Sequence, residues 1–184
     1  MNPFESFENV AHTITKLWFR GKRRIDADFD SPFAVDVLPY QFEDKKEVEN
    51  RLGGFFQDVD TFIKESLFLY VYAEFERVVF HKAHAALGEA QKVIDNQYPN
   101  QAPFHGSRAS MTIKVSSMNG LGDLRAALMS HLSATDRRYL KQMTKYRDYL
   151  VHGKRFYSTE AAEFEKDIDF GSIVSFMNST LAKL

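Results

Sequence analysis

The sequence contains no cysteine among its 184 residues. This absence excludes disulfide bonds, thiol nucleophiles and every zinc or iron–sulfur site that depends on cysteine ligands. The fold must therefore rest on its apolar core, and the composition provides one, because 44% of the residues are hydrophobic and 17 of them are Phe. Rings of this size fill a core, and they also suit an interface between subunits.

An excess of positive charge is also lacking. The 24 Lys and Arg are balanced by 25 Asp and Glu, so a nucleic acid would have to bind a local basic patch. No apolar run approaches the roughly 18 residues of a transmembrane helix. Glu5 and Glu8 stand among the first apolar residues, which is not the pattern of a signal peptide. We expect a cytoplasmic protein with no membrane contact.

Helical periodicity is the main pattern of the chain. Apolar residues recur at steps of three and four, which predicts an all-α fold: an antiparallel bundle of about five to six helices in a single domain over residues 1–184. Residues 1–42 should form an N-terminal helix, capped by Asn2 and ended by Gly21, and then an extended connection with a short strand at 33–38.

Residues 43–184 are predicted to form the core of the domain. The pattern at 43–95 is that of one helix, weakest at Gly53-Gly54, and its 62–87 stretch is apolar on most of its circumference. Residues 96–120 are predicted to be a long loop. Helices are expected at 123–132 and 136–152, each capped by its first Asp, the second closed by Gly153. A last helix is expected around 173–181.

The run 146–153, Tyr-Arg-Asp-Tyr-Leu-Val-His-Gly, carries the clearest chemistry. An arginine, a polar residue, three further residues and a histidine stand at the end of a late helix. The run resembles the catalytic motif of the HEPN family of metal-independent ribonucleases. Residues 72–76, Tyr-Ala-Glu-Phe-Glu, resemble the aromatic and acidic stretch of that family's first core helix. The resemblance does not extend to residues 1–42 or 96–120.

Arginine and histidine stand at a similar spacing elsewhere in the chain, at Arg77 and His84 and at Arg125 and His131. The run at 147–152 differs from both, because an aspartate directly follows its arginine and a glycine follows its histidine. This difference selects Arg147 and His152 as the candidate pair.

The resemblance implies an HEPN-like homodimer that cleaves RNA with no metal and no cofactor. The 2′-hydroxyl attacks the adjacent phosphate, His152 serves as general base or acid, and Arg147 stabilises the phosphate charge. Asp148 would orient the site and Glu76 would hold Arg147. Further residues are expected to support the site or to contact the RNA backbone: Tyr146, Lys141, Lys145, Lys154 and Arg155.

Helix geometry gives the relative positions of Arg147 and His152 without the family resemblance. At about 100° per residue, Arg147 lies on the apolar stripe with Leu140, Met143 and Val151. His152 lies about 140° away from Arg147. A single protomer therefore makes a poor active site from these residues. Two copies related by a twofold axis could bring them together in one cleft, which is how the family builds its site.

Similar domains act as toxins and in anti-phage defence, often beside a neutralising protein, so an antitoxin is an expected partner along with RNA. The alternative is a non-catalytic HEPN-like module that binds a nucleotide or a partner protein. In that case Arg147 only pairs with Glu76, and His152 is an ordinary cation near the negative end of a helix dipole.

Three other patterns remain. His81 and His84 have a spacing that can chelate metal, but no third ligand is evident, so we expect surface or core histidines. The aspartates at 26, 28 and 30 resemble the start of a calcium loop, but Ser31 stands where its glycine belongs. The basic cluster at 20–24 is expected to be a solvated helix end, with an RNA-contacting patch as the alternative.

Overall fold

The computed structural model describes residues 4–28, 33–34, 45–97, 132–155 and 157–183, and only the backbone at 45–50. These residues form five helices: α1 (Glu5–Ala27), α2 (Lys45–Gln97), α3 (Ala134–Val151), α4 (Thr159–Lys166) and α5 (Phe170–Leu181). They contain no strand, so the predicted all-α class is confirmed. None of the helices in these ranges is both long enough and apolar enough to cross a membrane.

The chain divides into two compact units, Met1–Val71 and Tyr72–Leu184. The boundary falls inside α2, so this helix contributes its first part to one unit and its second part to the other. The description of the chain as a single domain over 1–184 stays a prediction.

The N-terminal unit contains α1 and the first part of α2. Ile25 is fully buried in a cluster with Leu52 and Phe56. The prediction that Gly21 ends α1 is wrong, because the helix continues to Ala27. Burying an Ile side chain contributes about 1.5–3 kcal/mol, which exceeds the cost of about 1 kcal/mol for a glycine inside a helix.

The predicted connection at 25–42 is corrected where the structure describes it. Residues 25–27 belong to α1, and Phe33 and Ala34 are helical, so the predicted strand is wrong at those two positions. Its remaining residues, 35–38, lie outside the described ranges, as does the predicted cap Asn2.

The helix α2 is continuous over 53 residues and passes through Gly53-Gly54, as predicted. Its second part belongs to the C-terminal unit and buries Tyr72, Phe75 and Val79. The predicted loop at 96–120 lies outside the described residues except at 96–97, which are helical, and the predicted helix at 123–132 lies outside except at Leu132.

Within the C-terminal unit, α4 and the second part of α2 both contact α3. Arg138 pairs with Glu163 and Lys141 with Glu160, so α4 runs antiparallel to α3. By contrast, Tyr72 and Glu76 of α2 contact Thr144 and Arg147 in the same order along the chain, so α2 and α3 run in the same direction where they touch.

Helix capping differs in detail from the prediction. The cap of α3 is Ser133, whose hydroxyl accepts a hydrogen bond from the Asp136 backbone N–H, so the prediction that Asp136 is the cap is wrong. The short helix α4 was not predicted; it begins after its cap Ser158 and buries Ala161 and Phe164. The predicted last helix is α5, and the four apolar residues that indicated it are buried: Ile173, Val174, Met177 and Leu181.

Candidate active site

Arg147 lies in the last part of α3, on the side that faces α2. Its Nη2 donates to Oε1 of Glu76 at 3.0 Å, and its Nη1 lies 3.0 Å from Oδ1 of Asp148. The ring of Tyr72 covers the guanidinium, 5.4 Å from Cζ to the ring centroid. Because α3 places Arg147 among apolar residues, its charge is partly removed from water. The two carboxylates, the hydrogen bonds and the ring of Tyr72 compensate that desolvation cost.

The guanidinium is held in one orientation. The Arg147 and Glu76 side chains are each 21% exposed, and Asp148 is 34% exposed. The Nε of Arg147 is buried and has no hydrogen-bond partner among the described residues. Tyr72 is itself fixed, since its hydroxyl hydrogen-bonds to Thr144 Oγ1 at 2.7 Å. Both helices therefore contribute to the placement of Arg147.

His152 is the C-cap of α3 and is exposed. The next residues close the helix: the Gly153 N–H donates to Leu150 O at 3.1 Å, and the Lys154 N–H donates to Tyr149 O at 2.7 Å. This is the Schellman arrangement, which needs a left-handed residue after the cap. Gly153 has φ +64° and provides it, as predicted.

The structure does not bring Arg147 and His152 onto one face of α3. Arg147 is directed towards α2 and is only partly accessible, whereas His152 is exposed at the end of the helix. Asp148, expected to orient the site, has its carboxylate on Arg147 and also accepts the His152 backbone N–H at its carbonyl oxygen, at 3.0 Å. Asp148 therefore contacts both Arg147 and His152 within one protomer.

Tyr146 is a core residue. It is buried and packs against Phe164 of α4, with 5.5 Å between ring centroids, and against Tyr149, at 6.2 Å. Its support of the site is therefore indirect: it fixes α3 against α4, and α3 carries the candidate residues.

The four predicted RNA-contacting cations are all exposed. Lys141 is used within the fold, since its Nζ donates to Glu160 Oε1 at 2.7 Å and holds the pKa of Glu160 at about 2. Lys145 has no carboxylate at ion-pair distance among the described residues. Lys154 and Arg155 follow the cap of α3 and place two positive charges beyond a last turn that has no basic residue of its own.

The other candidate residues show ordinary surface contacts. The ring of His84 packs on Phe80 at 4.2 Å. Arg77 pairs with Glu74 three residues earlier, and this hydrogen bond lowers the pKa of Glu74. Across the described ranges no three His, Asp or Glu side chains gather as a metal ligand set. The calcium-like pattern at 26–37 lies largely outside those ranges.

The basic cluster at 20–24 is partly used for packing in the N-terminal unit. Lys22 lies over the ring of Phe56 and 3.9 Å from an Asp60 oxygen, and Arg24 lies over Phe33. Its role as an RNA-contacting patch stays a hypothesis.

Sequence reasoning did not foresee the ring of Tyr72 on Arg147 or the contact of Tyr149 with Tyr157, whose ring centroids are 4.6 Å apart. A signal for the first was present: Tyr72 and Glu76 are four residues apart and share a helix face. The contact of Tyr149 with Tyr157 depends on the path of the chain after Gly153, and no local sequence pattern predicts that path.

No family model, no curated protein and no solved structure matches this chain. The chemical interpretation of the site therefore rests on its own geometry and on the motif at 147–152.

Proposed function

We propose that this protein is an HEPN-like, metal-independent endoribonuclease that acts as a homodimer in the cytoplasm. The observation that carries the proposal is the placement of Arg147. Its half-buried guanidinium is fixed by Glu76, Asp148 and the ring of Tyr72, on the same helix that ends in the exposed His152. A fixed arginine and an accessible imidazole are the groups that cleavage by the 2′-hydroxyl requires.

The phosphate would bind Arg147 by exchange with Asp148. Asp148 is the more exposed of the two carboxylates, and Glu76 would stay on Nη2 while a phosphate oxygen replaces Asp148 on Nη1. Arginine keeps its charge throughout and can pair with phosphate oxygens in a planar geometry. The charge that grows on the phosphate would then meet a donor that needs no reorientation.

His152 would perform the proton transfers. One imidazole accepts the proton of the 2′-hydroxyl, whose oxygen attacks the phosphorus, and the bond from phosphorus to the 5′-oxygen breaks. The same imidazole, now carrying that proton, gives it to the leaving 5′-oxygen. The products are a 2′,3′-cyclic phosphate and a 5′-hydroxyl.

A second copy is required because one protomer directs Arg147 and His152 to different sides of α3. In a twofold dimer that joins the ends of the two α3 helices, the histidine of one copy can lie beside the arginine of the other. The exposed apolar side chain of Val151, next to His152, is suited to such an interface.

The direct test is incubation of the purified protein with RNA in excess EDTA, followed by analysis of the fragment ends. We expect cleavage with 2′,3′-cyclic phosphate ends, which Arg147→Ala and His152→Ala abolish. Arg77→Ala and His84→Ala are the matched controls, since they alter a second arginine–histidine pair in exposed positions, and both should cleave like the parent. Activity that EDTA removes and magnesium restores would overturn the mechanism.

The second candidate is a non-catalytic HEPN-like module that binds a nucleotide or a partner protein. The observation that favours it is that both terminal nitrogens of Arg147 already contact carboxylates. The same assay separates the two, because a parent protein that cleaves no RNA would support the module. If cleavage is found, a role as a toxin or anti-phage effector with a neutralising partner becomes the natural biological setting.

A further inference from the structure

Tyr157 is an exposed aromatic ring that is nevertheless held firmly. The residue is 53% exposed, although its ring packs against Tyr149 with 4.6 Å between ring centroids. Its hydroxyl donates to Glu165 Oε2 on α4 at 2.5 Å, and this hydrogen bond raises the pKa of Tyr157 to about 12, so the phenol stays neutral. The ring is thus held by two contacts while one of its faces is open to solvent. A ligand that stacks on this face would therefore cost little side-chain conformational entropy.

The ring belongs to an aromatic series that leads from the core to the surface beside the candidate active site. Phe164 contacts Tyr146, Tyr146 contacts Tyr149, and Tyr149 contacts Tyr157. Tyr149 stands three residues before His152, on the same face of α3. The series therefore ends on the surface close to the proposed general base.

Positive side chains flank this series. Lys145 is exposed and precedes Tyr149 by four residues, so Lys145, Tyr149 and His152 share one face of α3. Arg155 is exposed in the segment between α3 and Tyr157. Cations that track a phosphate backbone beside aromatic rings that stack on bases are the typical composition of a site for single-stranded nucleic acid.

We infer that Tyr157 and Tyr149 form a base-stacking platform, and that the substrate of the site is single-stranded RNA with a base next to the scissile phosphate stacked on Tyr157. This inference rests on the proposed function for the identity of the cleaved bond. In a duplex the bases are stacked on one another and cannot reach the ring, so the platform selects unpaired segments.

The test uses a fluorescein-labelled 2′-O-methyl oligoribonucleotide, which lacks the nucleophilic hydroxyl and so reports binding without cleavage. Anisotropy titrations of the full-length protein compare this single strand with its duplex. Tyr157→Ala should weaken single-strand binding about tenfold or more, the usual effect of removing a stacking ring. Tyr157→Phe keeps the ring and should bind within about twofold of the parent.

Tyr70→Ala is the matched control, because Tyr70 is 52% exposed and lies in the N-terminal unit. It should bind like the parent. The inference is overturned if Tyr157→Ala binds like Tyr70→Ala, if the duplex binds as tightly as the single strand, or if the parent binds neither. A parallel cleavage assay on the unmethylated strand separates this outcome from a failure of the proposed function. Binding that depends on Tyr157 without cleavage would keep the platform and reject the nuclease.

Discussion

At the scale of single residues, Arg147 matters to both stability and chemistry because Glu76 depends on it. Arg147→Ala removes the guanidinium that compensates the Glu76 carboxylate, which is only 21% exposed. Breaking a fully buried pair costs about 3–5 kcal/mol, and partial exposure reduces that, so we expect a loss of about 2 kcal/mol in the free energy of unfolding. Urea denaturation followed by circular dichroism measures it.

The contrast with His152 makes this prediction specific. His152→Ala alters an exposed cap and should cost no more than about 1 kcal/mol. Arg147→Ala combined with Glu76→Gln also removes the carboxylate that the guanidinium had paired with, and it should recover part of the lost stability. Equal urea midpoints for the parent and Arg147→Ala would show that the pair contributes nothing to the fold.

The Arg147–Glu76 contact could be expected from the sequence, because both residues stand in apolar arcs where a charge needs an opposite charge. The contact of Asp148 with Arg147 could not be expected in the same way. A carboxylate between an arginine one residue before it and a histidine four residues after it can turn to either. Its choice depends on how α2 approaches α3, which is a tertiary property.

At the scale of helices, the end of α3 is a conformational requirement. Gly153 has φ +64°, and a Cβ there would have no heavy atom within 4 Å, so the cost of a side chain lies in the backbone alone. Gly153→Ala should therefore destabilise the protein by about 1 kcal/mol. It should also reduce RNA cleavage, since the same turn positions His152.

Gly88→Ala is the matched control for this glycine. Gly88 lies within α2, and a Cβ there also meets no heavy atom within 4 Å. Because alanine is the better helix former, this substitution should stabilise the protein by about 0.5–1 kcal/mol. Thermal unfolding of both variants should show a lower melting temperature for Gly153→Ala and a higher one for Gly88→Ala than for the parent. A Gly153→Ala protein as stable as the parent would contradict the account of the helix end.

The attachment of α4 to α3 should depend on pH. Lys141 lowers the pKa of Glu160 from its ordinary value of 4.5 to about 2. A carboxyl whose pKa is lower in the folded state stabilises the fold above pH 4.5 and loses this contribution as the pH falls towards 2. Glu160→Gln should be less stable than the parent at neutral pH, and its stability should decrease less steeply between pH 4.5 and 2.

Urea midpoints measured across that pH range compare the two proteins. Arg138 and Glu163 join the same two helices and remain in the variant, so part of the pH dependence should persist. Parallel curves for parent and variant would show that the Lys141–Glu160 pair does not form in solution.

Local sequence patterns predicted most of the described helices. The predictions were wrong or missing where the structure depends on burial against residues that are distant in sequence. The extension of α1 past Gly21 depends on Ile25 reaching Leu52 and Phe56, which are distant in sequence. The helix α4 has only eight residues, too few for a clear period, although Ser158 and the apolar pair Ala161 and Phe164 were a weak signal.

At the scale of the whole molecule, the proposed site requires two copies of the chain. We expect light scattering coupled to size exclusion to give the mass of a homodimer at micromolar concentration. Val151→Glu adds a charge at the exposed residue next to His152 and should shift the protein towards monomer with loss of cleavage. A parent protein that is monomeric yet cleaves RNA would contradict the two-copy site.

The most direct test of the central claim is complementation between two inactive variants. Arg147→Ala and His152→Ala proteins, each inactive alone, are mixed, exchanged into mixed dimers and assayed on RNA in EDTA. If the arginine of one copy works with the histidine of the other, the mixed dimer retains one intact pair, and cleavage with 2′,3′-cyclic phosphate ends should return. Mixed dimers that form but remain inactive would contradict the account.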